Sequence, residues 1–261
     1  MRFLLTNDDG IESVFLHYVV EAFLEQGHEV YVAAPRTEQS WIGAAKSRAR
    51  IVATKRSERD FGCPAWTIDG TPADCVNIAL DHLVPKDVKL DGVVSGMNVG
   101  MNATLGFIIA SGTIGGALEG ALHGLPSAAL SQNLSDEVFM QVKHNHGHVE
   151  GEMARTLRHS ARHAARMVPA LLAETGRGRF IVHNLNFPYP CNEDSETRRS
   201  VPAHVVVPKL FVPAAEEGSH RMEFSYGEDL SPKDLVTDRG LLAQGKISHS
   251  ILDYTRLGMP A

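Results

Sequence analysis

The chain has 261 residues, 43% of them apolar, and a formal net charge of −6. That length and apolar content suit a single domain with a real core, and the mildly acidic balance argues against a stable nucleic-acid complex. No apolar run approaches membrane-spanning length, the start offers only Phe3, Leu4 and Leu5 before polar residues, too short for a signal-peptide core, and three widely spaced cysteines without a CxxC pair fit reduced thiols in a cytoplasmic protein.

Residues 2–6 read as a first strand. In 13–26, Val14, Phe15, Tyr18, Val19, Ala22 and Phe23 recur at helical spacing, and Gly27 follows as a stop. "HEVYVAAP" is short, apolar and β-branched, so it reads as a second strand. Strand, helix and strand in under forty residues make a βαβ unit, which implies a parallel sheet. The pattern recurs: strand "AWTIDG", helix "PADCVNIALDHLV", strand "LDGVVSG", small-residue helix "TIGGALEGALHG", strand "PSAALS". Residues 149–174 read as one helix, either continuous or interrupted at Pro169, and "RFIVHNLNFP" predicts a further strand. Beyond 190, prolines at 202, 208 and 213 break an alternating texture, so 195–230 reads as an antiparallel hairpin excursion, and "GKISHSILDY" returns as a strand. The expectation is one domain with a Rossmann-like, doubly wound, mostly parallel sheet. An α/β core covers 1–190, and 191–261 forms a hairpin and C-terminal segment.

In such a sheet, ligands bind outside the carboxyl ends of the strands. Four polar clusters fall there. Asn7-Asp8-Asp9-Gly10 follows the first strand, and "PRTEQSWIG" with Ser40 follows the second. "SGMNVGMN", with Ser95, Asn98 and Asn102, follows "DGVV". "ASGTIGG", with Ser111, Gly112 and Thr113, opens the small-residue helix. Carboxylates with neutral Ser and Asn oxygens, and no Cys or His nearby, suit a hard cation such as Mg²⁺, Mn²⁺ or Ca²⁺. A cation also accounts for two adjacent ionised aspartates. The start of "SGTIGG" offers backbone N–H groups to a phosphate or oxyanion. A hard cation beside an anion cradle points to phosphate chemistry. Taken singly, each cluster has a plainer reading as a turn, an N-cap or an Asn/Gly loop; their shared place at strand ends favours the functional one.

"LLTNDDG", "DGTPADCVNIAL", "VVSGMNVGMN", "SGTIGGALEG", "NLNFP" and a late "TD" occur in this order. The set closely resembles the SurE family of stationary-phase survival proteins, most strongly over 1–133. The resemblance implies a metal-dependent phosphomonoesterase hydrolysing nucleoside 5′- or 3′-monophosphates, with a small-molecule nucleotide as substrate. It implies one divalent cation per subunit, Mg²⁺ or Mn²⁺, with Ca²⁺ able to take the place in a crystal, held by Asp8, Asp9, Ser40 and Asn98. Asp8 and Asp9 are also the catalytic candidates. Asn98, Asn102, Ser111, Gly112 and Thr113 match the phosphate-binding positions. A homodimer or homotetramer built through the C-terminal segment is implied as well. The chain departs from the family at Trp41, where a glycine is usual, and in "ATLGFIIA", where Phe107, Ile108 and Ala110 replace a polar pair and an aromatic. Trp41 and Phe107 either stack on a base, narrow the access, or simply pack.

Two other clusters draw attention. His144, His146 and His148 alternate in a predicted loop and invite a zinc reading, though a plain exposed loop fits better. His159 and His163 lie in a basic stripe with Arg155, Arg158, Arg162 and Arg166, which reads as a solvated helix face or a subunit contact. A rival from another class is a nucleotide- and metal-binding sensor with little turnover. An NAD oxidoreductase is disfavoured, because no GxGxxG follows the first strand.

Overall fold

The computed structural model describes residues 1–144 and 147–259. The chain opens with β1 (Arg2–Thr6), α1 (Val14–Glu25), β2 (Glu29–Pro35), β3 (Thr54–Arg56), β4 (Ala65–Ile68) and α2 (Pro72–Ile78). Next come β5 (Gly92–Val99), α3 (Leu105–Ala110), α4 (Gly112–Leu122), β6 (Ser127–Gln132), α5 (Asp136–His144) and α6 (Gly151–Thr175). The remainder comprises β7 (Ile181–Phe187), β8 (Thr197–Arg199), β9 (Val205–Val206), β10 (Phe211–Pro213), β11 (His220–Met222), β12 (Glu228–Asp229), α7 (Asp238–Ala243) and β13 (Ile247–Asp253). Among the described residues, one nine-stranded sheet runs in the order β3-β4-β2-β1-β5-β6-β7-β13-β8.

Strands β4, β2, β1, β5, β6 and β7 pair in parallel. Antiparallel pairing enters on both flanks, where β3 meets β4 and β13 meets β7. From β1 the chain winds outward through β2 to β4, then returns past β1 to β5. The strand order therefore reverses between β1 and β5, and a crevice opens at their carboxyl ends. Alternation along β1 explains why both faces are covered. Phe3 and Leu5 join the apolar cluster that includes α1 and α6, while Leu4 joins the one that includes α2.

Helix α6 runs unbroken for 25 residues with Pro169 inside it, which decides between the continuous and interrupted readings. Proline removes the N–H that would reach the Ala165 carbonyl. The His28 side chain hydrogen-bonds the Ala165 backbone instead, and Val168 and Leu172 stay buried on either side. Strand β5 also exceeds expectation. It continues through Ser95 to Val99 with a register shift between Ser95 and Asn98, so Asn98 lies at a strand end rather than in a loop.

Beyond β7, β10 pairs with β11 and β12 with β9, both antiparallel, as the proline-broken texture suggests. Within that region β8 instead joins the main sheet, parallel to β13. Cys75 is buried in α2.

Candidate active site

Asp8 and Asp9 lie just past β1, on one flank of the crevice. The turn that carries them is shaped by Asn7, whose Nδ2 donates to the Gly10 carbonyl at 2.9 Å. Gly10 has φ +97°, and a Cβ there would lie 3.3 Å from the Thr37 carbonyl carbon, so the turn needs glycine. The Gln39 N–H donates to the Asp8 carbonyl at 2.6 Å, which draws the segment after β2 against the pair.

Thr113 donates its hydroxyl to Asp8 Oδ1 at 2.5 Å. The Thr113 backbone also hydrogen-bonds this carboxylate. Asp8 is thus seated on the N-terminus of α4, where the helix dipole favours an anion. Gly112 makes the approach possible, since a Cβ there would lie 2.8 Å from both Asp8 Cβ and the Gln39 carbonyl oxygen. Asp9 is half-buried, and its Oδ2 accepts from the Val99 N–H at 3.0 Å. The end of β5 therefore holds the second carboxylate while the start of α4 holds the first.

Burial pushes the Asp8 carboxyl up to about 6, although the Thr113 hydroxyl pulls it down. Asp9 is pushed well above the usual carboxylate range, first by burial and then by the Asp8 charge. The Glu38 carboxylate raises both. Opposing them at Asp9 is the Lys143 ammonium near the end of α5. A buried acid, a half-buried one and the Glu38 charge acting on both make a site that a cation would stabilise.

The neutral donors fit the same reading. The Asn98 Nδ2 is occupied by the Gly100 carbonyl at 2.7 Å, so the oxygen of that amide remains to act as a ligand. Ser40 is exposed, and its hydroxyl donates to Glu38 Oε1 at 2.9 Å. Nearby, Asn7 Oδ1, Thr6 Oγ1 and Ser95 Oγ are buried without a protein partner. Two carboxylates with neutral oxygens suit a hard divalent cation. Among the described residues, no group of three or more His, Cys, Asp and Glu is placed to hold a metal. His144 closes α5 and His148 bonds Glu150 at 3.0 Å, while His146 lies outside the described residues. His163 bonds the Asn192 carbonyl at 2.8 Å, and Arg155, Arg158, Arg162 and Arg166 form an exposed face of α6.

The remaining candidates brace the crevice. Ser111 caps α4, its Oγ accepting from the Ile114 N–H at 3.1 Å. Asn102 donates through Nδ2 to Ser131 Oγ at 2.9 Å, and its backbone is gripped by Asn184 and Asn186 of β7. Glu38 and Lys143 are site neighbours that motif reading does not single out, whereas Asp238 belongs to the late "TD" of the motif set. Asp238 accepts from the Thr104 N–H at 2.8 Å and the Ala203 N–H at 3.0 Å, tying the loop that carries Asn102 to the C-terminal region.

The family model described as "Survival protein SurE" matches residues 3–206. A protein named 5′-nucleotidase SurE from Solidesulfovibrio magneticus is 44% identical over 98 residues, 38% of this chain and 37% of the relative. Those of Clostridium botulinum and Desulforudis audaxviator are 39% identical over 98 and 99 residues, each match covering 38% of both chains. The matched stretch thus spans little more than a third of these curated relatives. A crystal structure of the SurE protein from Aquifex aeolicus superposes with a TM-score of 0.72 at 25% identity, covering 97% of this chain and 93% of that one. With a family model spanning most of its length and a shared fold throughout, the chain belongs to the SurE family.

Proposed function

We propose that this protein is a divalent-cation-dependent phosphomonoesterase that releases phosphate from nucleoside 5′- or 3′-monophosphates. The observation that carries the reading is the seating of Asp8 and Asp9. Two carboxylates meet at the topological switch point, one fixed by the N-terminus of α4 and the other by the end of β5. The relatives' printed name, 5′-nucleotidase, supports the same class of reaction.

Asp8, Asp9, Ser40 and Asn98 would hold one cation, Mg²⁺ or Mn²⁺. Such a cation supplies Lewis-acid polarisation of a phosphoryl oxygen and acidifies a water. Thr113 keeps Asp8 ionised and aimed. Gly112, having no side chain, lets the N-terminus of α4 face the site, where its dipole stabilises charge on the equatorial phosphoryl oxygens. Asn98, Asn102 and Ser111 complete the phosphate side, the last two by fixing the loop after β5 and the cap of α4. The unpaired Cys63, Cys75 and Cys191 support a cytoplasmic setting. Exposed Phe211, Leu230, Leu235 and Val236 in the C-terminal region support assembly into a dimer or tetramer.

The test is phosphate release across a panel of nucleoside monophosphates, with Mn²⁺ or Mg²⁺ and then with EDTA. The expected result is release that EDTA abolishes. Binding of nucleotide without release from any member of the panel contradicts this reading and leaves a sensor.

A further inference from the structure

Ser40 would give the cation only a neutral hydroxyl, and that hydroxyl is already engaged. It donates to Glu38 Oε1 at 2.9 Å. The segment that bears the pair is fastened along its length. The Arg36 N–H donates to the Ile68 carbonyl at 2.8 Å, and the Gln39 N–H donates to the Asp8 carbonyl at 2.6 Å. Past Ser40, the Trp41 ring meets Phe107 edge to face at 5.6 Å, and the Gly43 N–H donates to the Ala110 carbonyl at 2.8 Å. Glu38 and Ser40 are therefore held beside the turn that carries the aspartates.

Glu38 is exposed, and the plain reading of a glutamate bonded to a serine two residues on is a local turn contact. Two observations go further. The atom that Glu38 engages is the one that would face the cation. The Glu38 charge also acts on both Asp8 and Asp9, raising each, so its carboxylate lies within electrostatic reach of the pair. Yet among the described residues no three of His, Cys, Asp and Glu are grouped to hold a metal, so Glu38 is not placed as a third carboxylate ligand. Its contact with the site runs through Ser40.

We propose that Glu38 is a positioning residue for the metal site: by taking the Ser40 hydrogen it aims the lone pairs of that hydroxyl at the cation and makes the oxygen a stronger ligand. The proposal rests on the reading of Asp8, Asp9, Ser40 and Asn98 as the cation's holders. A hydroxyl has one hydrogen and two lone pairs, so fixing the hydrogen fixes where the lone pairs point. An outer carboxylate that accepts from a ligand also raises the ligand's basicity, and losing such a partner typically weakens metal binding by about ten- to a hundredfold.

The experiment needs no turnover. The probe is Mn²⁺ alone, titrated into protein stripped of metal, with free Mn²⁺ followed by its electron paramagnetic resonance signal. The proteins are the wild type, Glu38→Ala, Glu38→Gln, Ser40→Ala and the Glu38→Ala, Ser40→Ala double variant. Glu38→Ala should weaken Mn²⁺ binding about tenfold or more. Glu38→Gln, which still accepts the hydrogen bond without the charge, should bind Mn²⁺ more tightly than Glu38→Ala. In the Ser40→Ala background the same Glu38→Ala change should cost about threefold or less, because the hydroxyl it acts through is gone. Wild-type affinity in Glu38→Ala overturns the proposal, as does a lower melting temperature with Mn²⁺ binding intact, which would leave Glu38 a turn residue. An equal loss in both backgrounds, or Glu38→Gln as weak as Glu38→Ala, also overturns it, since Glu38 would then act by charge alone. If the wild type binds no Mn²⁺, the metal reading itself fails and the role of Glu38 with it; wild-type binding that Glu38→Ala leaves unchanged removes only that role.

Discussion

At Asp8 the geometry shows how a buried acid is kept usable. Its carboxylate is 2% exposed and accepts the Thr113 hydroxyl at 2.5 Å. A hydrogen bond to a buried charge contributes about 1.5–3 kcal/mol. Thr113→Val keeps the shape and removes the donor, so kcat/KM should fall by about tenfold or more, with a higher Mn²⁺ concentration needed for half-maximal rate. A metal titration of both proteins measures this. Asp8, Asp9 and Asn98 were legible in the sequence because their motifs abut recognisable strands. Glu38 and Lys143 were not, since their charges reach Asp9 from other segments and carry no local signature. Trp41 was visible as an oddity, but only its φ of +61° explains why glycine suits that position.

Among the elements, α4 shows how small residues set the site. A Cβ on Gly115 would lie 2.3 Å from the Gly43 carbonyl oxygen, a backbone atom that cannot swing aside. Gly→Ala inside a helix ordinarily stabilises, by about 0.5–1 kcal/mol. Here the contact reverses the sign, so Gly115→Ala should destabilise by about 1–3 kcal/mol and displace the turn after Ser40, seen as a lower melting temperature and weaker metal dependence. The β7–β13 pair carries a second testable feature. His183 Nδ1 and His249 Nε2 lie 2.9 Å apart, both buried, with Thr175 on the far side of His183 and Arg199 beside His249. Burial lowers His183 to about 4, and burial with the His183 and Arg199 charges lowers His249 to about 3. Both values lie below the ordinary 6.5, so between there and about pH 4 the unfolded chain binds more protons. Stability is fully present above pH 6.5 and is lost as pH falls through that window. Between pH 7.5 and pH 5 the urea-unfolding free energy of the wild type should fall by about 3 kcal/mol more than that of a His183→Gln, His249→Gln double variant, a comparison in which the opposing contributions of Asp8 and Asp9 cancel. The crossover helices and parallel strands were readable from periodicity. The short α3 was not, because "LGFIIA" is too brief to show a period, and the continuity of α6 past Pro169 stayed open because His28, far away in sequence, serves the carbonyl that proline leaves.

For the whole molecule, chain topology brings the site together. Asp8 and Asn98 are ninety residues apart, yet β1 and β5 are neighbours across the switch point. That juxtaposition was legible, because repeated βαβ units place strand ends on one rim. The late "TD" was visible too, but the reach of the C-terminal region was not. Asp238 reaches back across 134 residues to the Thr104 N–H, and Phe224 lies on Phe107 only because Asp136 and Arg239 anchor the segment that bears it. Contacts of that range leave no periodic trace in the chain. On the function proposed above, this convergence makes a cation-dependent phosphate-releasing site centred on the aspartate pair. Its most direct test is the initial rate of phosphate release from adenosine 5′-monophosphate at saturating Mn²⁺ for the wild type, Asp8→Asn and Asp9→Asn, with circular dichroism showing each variant folded. The account predicts a loss of about a hundredfold or more in both variants. Hydrolysis by either variant at the wild-type rate would contradict it.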